Sequence, residues 1–127
     1  MTRESIIIRV PPDAWYLPVT RAVATEIAAQ SGLGHDGAVA LRTVTTEVAT
    51  ALCLDAEQES TAELEFTRSA RGVCIVGKVP TQQTAPPEES TPLMRLLRQV
   101  AGEVTAVCVV DSAGQHTLRL AATICLP

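Results

Sequence analysis

The stretch ALRTVTTEVATALCLDAEQESTAELEFT, residues 40–67, changes its hydrophobic period part-way along, and that change decides the fold class. Leu41, Val44, Val48 and Leu52 recur at three- and four-residue spacing, which places them on one face of a helix. From Ala62 the period drops to two. Ala62, Leu64 and Phe66 alternate with Glu63, Glu65 and Thr67, the pattern of a strand with one packed and one wet face. A long apolar-faced helix followed by an amphipathic strand points to helices laid on a sheet.

Working outward, Asp36 offers a side-chain oxygen to cap the start of this helix, which is expected to run to about Leu54. Before it, Val19, Val23 and Ile27, with Ala22 beside them, predict a helix from about Pro18 to Gln30, ended by Ser31-Gly32. Residues 4–10 read as a β-branched strand stopped by Pro11-Pro12. On the other side, Ser69 to Gly72 makes a turn into the apolar strand Val73-Cys74-Ile75-Val76, giving a hairpin. Pro80 to Thr91 is polar and proline-rich. Ser90 or Thr91 then caps a helix with Pro92 at its first position and a stripe of Leu93, Leu96, Leu97 and Val100, ending near Gly102. Strands 104–110 and 116–125, joined by the turn Asp111-Ser112-Ala113-Gly114, close the chain. The expected class is therefore α/β, an α+β two-layer sandwich. It has a mixed, mostly antiparallel sheet of about five strands with three helices on one face, in a single domain, 1–127.

Composition narrows the function classes. The chain of 127 residues is 46% apolar and 19% charged, a globular balance. It has one Phe, one Trp and one Tyr, so the core must come from Leu, Val, Ile and Ala, and aromatic platforms for stacking bases are lacking. A net charge of -4 also disfavours direct nucleic-acid binding, although Arg42, Arg95 and Arg98 fall on predicted helices and offer a local basic patch. Cys53, Cys74, Cys108 and Cys125 lie far apart, and His35 and His116 stand alone, so no zinc-type spacing exists. The cysteines sit in apolar runs and are expected to be buried free thiols. The start of the chain is too briefly apolar for a signal peptide, and no stretch reads as a membrane span, which predicts a cytoplasmic protein without membrane contact.

Three segments carry a likeness to a known family. They are the run 19–33, VTRAVATEIAAQSGL; residues 40–51, ALRTVTTEVATA; and residues 93–104, LMRLLRQVAGEV. In this order, with a polar loop before the third helix, the chain resembles the histidine-kinase-like ATPase (GHKL) superfamily in its smallest form, the bacterial anti-sigma-factor serine kinases. The resemblance covers nearly the whole chain and implies a role in transcription regulation by partner switching. It also implies a catalytic Glu on the second helix, an Asn four residues later that holds Mg²⁺, an Asp that accepts from adenine, and a glycine-rich entry to the third helix. Glu47 matches the base, but Ala51 stands where the Asn should be and has no oxygen donor for magnesium. The segment Gly77 to Gln82 contains no acid. The third helix is entered through Glu88-Glu89-Ser90-Thr91-Pro92, where proline removes an amide and two carboxylates repel a phosphate. The nucleotide positions Ala51, Gly77 and Pro92 are thus degenerate, no metal ligand set is present, and Glu47 is a vestigial base candidate.

What remains is an expectation of a pseudo-kinase, a regulatory protein acting by protein contact with no cofactor. Its partner is a sigma factor or an anti-sigma-factor antagonist, and it has scope to form a homodimer. Trp15, Arg21, Arg42 and Glu47 are the candidate partner-binding residues. Trp15 is expected to lie as a lid over the core edge, or, if exposed, to anchor an interface. The alternatives are an active ATP- and Mg-dependent serine/threonine kinase, or a structural partner of an intact ATPase-fold homologue. Asp111 and His116 lie across a hairpin turn, without the surroundings of a catalytic triad. Lys78 has no phosphate-loop glycines around it.

Overall fold

A computed structural model describes residues 4–127. Strand β1 (Glu4–Val10) leads through a short 3-10 turn (Ala14–Tyr16) into helices α1 (Leu17–Ser31) and α2 (Gly34–Asp55). Strands β2 (Ala62–Ser69) and β3 (Gly72–Thr81), helix α3 (Pro92–Val100), and strands β4 (Glu103–Val110) and β5 (His116–Cys125) follow. The five strands form one sheet in the order β1-β2-β3-β5-β4, every neighbouring pair antiparallel. The class, an α+β sandwich, is the one the sequence predicts, but the sheet is wholly antiparallel rather than mixed.

Alternation decides which face of the sheet is covered. Leu64, Phe66, Ile75, Val79, Leu118, Leu120 and Ala122 point to the helices and are buried. Leu41, Val44, Val48 and Leu52 of α2 meet them, all but sealed from solvent, as their spacing requires. The buried apolar side chains form one continuous cluster. Gly77 marks where α2 comes closest. A Cβ there would lie 2.6 Å from Val48 Cγ1 and 3.0 Å from Leu52 Cδ1, so only glycine lets the helix settle onto β3. The length and apolarity of α2, 22 residues, would suffice to cross a membrane, contrary to the reading of its sequence. Here the apolar row packs on the sheet.

Three local readings change. Helix α1 buries Thr20, Ala24, Ile27 and Ala28, while Val19 is exposed and Val23 half-buried. The face that packs against α2 is thus the small-residue face rather than the valine stripe. Asp36 does not cap α2. The helix begins at Gly34, and Asp36 lies in its first turn, where its charge still suits the positive end of the helix dipole. In α3 the most buried residues are Met94 and Leu97, with Leu93 and Leu96 half-buried beside them.

The connection after α2 is fastened to the end of β3. Pairing of β2 with β3 stops at Glu63–Lys78, leaving one flank of Pro80 and Thr81 open, where a proline is tolerated in a strand. The chain leaving α2 fills that flank through a bridge from Ala56 to Thr81 and a Glu57 N–H donated to the Pro80 carbonyl at 2.9 Å. At the β2–β3 turn, Gly72 has φ 144°, and a Cβ would strike the Ile124 carbonyl oxygen at 2.0 Å. The turn therefore requires glycine.

Candidate functional site

The segment 82–91 and the entry to α3 lie beside the end of β3 and the C-terminal part of α2, where the family resemblance would put a nucleotide. Ala51 is buried in the core. Thr81 at the end of β3 is buried too, its hydroxyl accepting from the Gln83 N–H at 3.1 Å and its carbonyl from Gln115 Nε2 at 3.4 Å. Met94 and Leu97 of α3 are as buried as any core residue, and Leu93 packs against the same cluster. Apolar side chains thus occupy the third helix's inner face.

The loop borders an open cavity of about 240 Å³, lined by its own Gln83, Ala85, Pro86 and Pro87 with Asp55 and Leu118. Its one charged group is a carboxylate. A triphosphate entering it would meet a like charge and no cation, and prolines offer no amide to hold an oxygen. The entry to α3 is also closed on itself. Thr91 accepts from the Met94 N–H at 3.3 Å, with Pro92 at the first helical position, and its own hydroxyl donates to the Glu88 carbonyl at 2.8 Å. Glu89 grips Arg98 through two hydrogen bonds, of 3.1 and 2.6 Å. The hydrogen bonds from Arg98 hold the Glu89 carboxyl below the usual range and raise the Arg98 guanidinium in turn.

Glu47 is half-buried on α2, makes no ion pair among the described residues, and does not line the cavity beside the 82–91 loop. Asp111 is committed, since its carboxylate accepts the Ala113 and Gln115 N–H groups of its own turn, each at 2.9 Å. Lys78 reaches Glu63 at 4.0 Å on the open sheet face, where Glu63 also holds Arg9 at 3.1 Å.

The surface residues divide differently. Trp15 is 82% exposed and covers nothing. Its backbone N–H is held by the Asp13 carboxylate at 2.9 Å, which fixes the 3-10 turn, and the neighbouring Tyr16 takes the place at the core edge beside Val10, Leu17 and Leu52. Leu54, near the end of α2, is 80% exposed, and Val19 on α1 is exposed as well. The start of α1 and the end of α2 lie together: Asp13, Tyr16, Leu17 and Cys53 line one small cavity, and Asp13 is near enough to help raise the Cys53 thiol. Trp15, Val19 and Leu54 thus expose large apolar groups at one end of the helix pair. Arg21 and Arg42 are exposed on α1 and α2 and make no ion pair among the described residues. Sequence reasoning named Trp15 but not Leu54, which periodicity assigns to no face.

The cysteines are less buried than their apolar neighbours suggest. Cys53, Cys74 and Cys108 are half-buried and Cys125 is exposed, because three of the four lie on strands near an edge or on the uncovered sheet face. Burial first, with Asp13 or Asp55 adding to it, pushes the Cys53 and Cys108 thiols up, so neither is an activated nucleophile. Among the described residues no group of three or more His, Cys, Asp or Glu side chains is placed to hold a metal ion. The uncovered sheet face carries an open trough of about 430 Å³ bordered by Glu65, Thr67, Cys74 and Arg119. No known protein-family model matches this chain, and no curated protein matches it.

Proposed function

We propose that the chain is a regulatory binding module of the anti-sigma-factor type, a pseudo-kinase that works by protein contact without ATP. The observation that carries this reading is the exposed apolar end of the helix pair, Trp15 with Leu54, against a loop cavity whose one charge is the Asp55 carboxylate. An exposed tryptophan on a short fixed turn brings a large contact area at small entropic loss. Arg21, exposed one turn into α1, suits an acidic rim on the partner, with the exposed Arg42 about 18 Å from Leu54 along α2; such charges steer association more than they tighten it. By the family likeness, that partner is a sigma factor or an anti-sigma-factor antagonist.

The test has two arms. Affinity capture by the tagged chain, with partners identified by mass spectrometry, is expected to recover one of those two classes from the native cell. Trp15→Ala should lose it while melting at an unchanged temperature. Recovery of neither class, or full retention by Trp15→Ala, would overturn the reading. In the second arm, millimolar Mg-ATP should leave the melting temperature unmoved, since a ligand stabilises only a native state that binds it. A clear rise would favour the active kinase instead.

A further inference from the structure

The two edges of the sheet are not alike. β1 is guarded by charge, with Glu4 paired to Arg68 near one end and Arg9 to Glu63 near the other. β4 has no such guard. From Val104 to Val110 it reads Val-Thr-Ala-Val-Cys-Val-Val, with no charge and no proline. Its pairing with β5 runs without a bulge from Glu103–Thr123 to Val110–His116. Among the described residues its other flank has no neighbouring strand. Val107, Val109 and Val110 are 39%, 51% and 54% exposed. A long, uncharged, β-branched edge is a template for another strand, and stable proteins ordinarily block one with lysine, proline or a bulge.

We infer that β4 pairs antiparallel with β4 of a second copy of this chain, extending the sheet across a twofold axis normal to it. The strand's own sequence selects that occupant. Such an axis keeps the helices of both copies on one side, so only residues of like parity face each other. Centred on Val107, the register sets Val104 against Val110, Thr105 against Val109, Ala106 against Cys108, and Val107 against itself. Every pair is apolar or β-branched, the kind that stabilises neighbouring strands. The register also brings Val110, the most exposed valine of the strand, opposite Val104, its one fully buried residue. Like charges meet only beyond the apolar run, Glu103 opposite Asp111. There Glu103 is already neutralised by Arg71 at 2.6 Å and the Asp111 carboxylate by two amides of its turn.

Sedimentation or light scattering across the micromolar range tests this. The wild-type chain should show twice its 13.4 kDa mass. Val107→Lys and Val107→Glu should each run as folded monomers, because each sets a like charge against itself. Mixing the two should restore the dimer. Val109→Lys, more exposed still, supplies a second monomeric variant should either fold poorly by circular dichroism. Ile7→Lys on the opposite edge should leave the dimer intact. A monomeric wild type, a dimeric Val107→Lys, failure of the mixture to reassociate, or dissociation by Ile7→Lys would each overturn the pairing.

Discussion

Two buried positions in this chain are decided by a single atom or its absence. At Gly77 a methyl group would press on Val48 and Leu52 of α2 and approach Leu64 Cδ2 at 3.3 Å. These side chains are sealed in the core and cannot swing away. Gly77→Ala should therefore destabilise by about 1–3 kcal/mol, the cost of overpacking, seen as a lower urea midpoint at unchanged m-value. That would mark Gly77 as a packing residue, a role its place in a degenerate nucleotide motif did not suggest. Thr45 shows the reverse fault. It is wholly buried on α2, and among the described residues its hydroxyl has no hydrogen-bond partner. An unsatisfied hydroxyl carries its desolvation cost without return, so Thr45→Val, nearly the same shape, should stabilise by about 1 kcal/mol. A fall in stability would mean that the hydroxyl meets a partner in solution. Neither position can be read from local sequence, because both depend on how closely α2 lies to its neighbours.

The order of elements was legible from the sequence, since each start and stop is set by residues close together. The switch of period at Ala62, the left-handed Gly32 (φ 70°) closing α1, and the Asp111–Gly114 turn all act locally. Which face an element buries was less legible. α1 turns Thr20, Ala24 and Ala28 inward because small residues let two helices approach closely, whereas a search for large apolar residues picks Val19 and Val23. The candidate site was legible only as a set of missing groups. That Met94 and Leu97 fill the inner face of α3, and that Trp15 faces water, follow from tertiary placement. Within α3 the decisive element is its entry. The helix has nine residues, too few to be stable alone, so its cap matters. Thr91→Ala should cost about 1 kcal/mol in urea unfolding. The Glu89–Arg98 pair adds a pH signature. Glu89 titrates below its ordinary value of 4.5 when folded, so the unfolded chain binds its proton more readily. The pair's contribution is complete above pH 4.5 and lost as pH falls through the lower folded value. Both groups are exposed, so the effect is small. Glu89→Gln should flatten that part of the stability curve, and an unchanged acid slope would count against the pair.

At the scale of the whole molecule, the sheet order places β3 and β5 at the centre of stability and the site elements at its margin. β3 is paired on both flanks by β2 and β5, β5 by β3 and β4, and both lie beneath α2 with Ile75, Val79, Leu118 and Leu120 sealed between the layers. Their amides can exchange only when strands on both sides part, which approaches global unfolding. The segment 82–91 belongs to no strand or helix, and α3 packs against α2 and, less, β4, with only Met94 and Leu97 fully buried. Native-state hydrogen exchange should therefore be slowest over 73–79 and 118–124, and faster by orders of magnitude in 82–91 and α3, with α2 closest to the sheet strands. β4 discriminates further. As a free edge it should exchange faster than β5 along its outer amides, and as one half of a continuous sheet it should approach β5 at high protein concentration and fall away on dilution. Exchange in α3 as slow as in β3 would show that the helix is bound into the core unit. The loop 82–91 and α3 would then be a fixed part of the scaffold, not a separately opening flap.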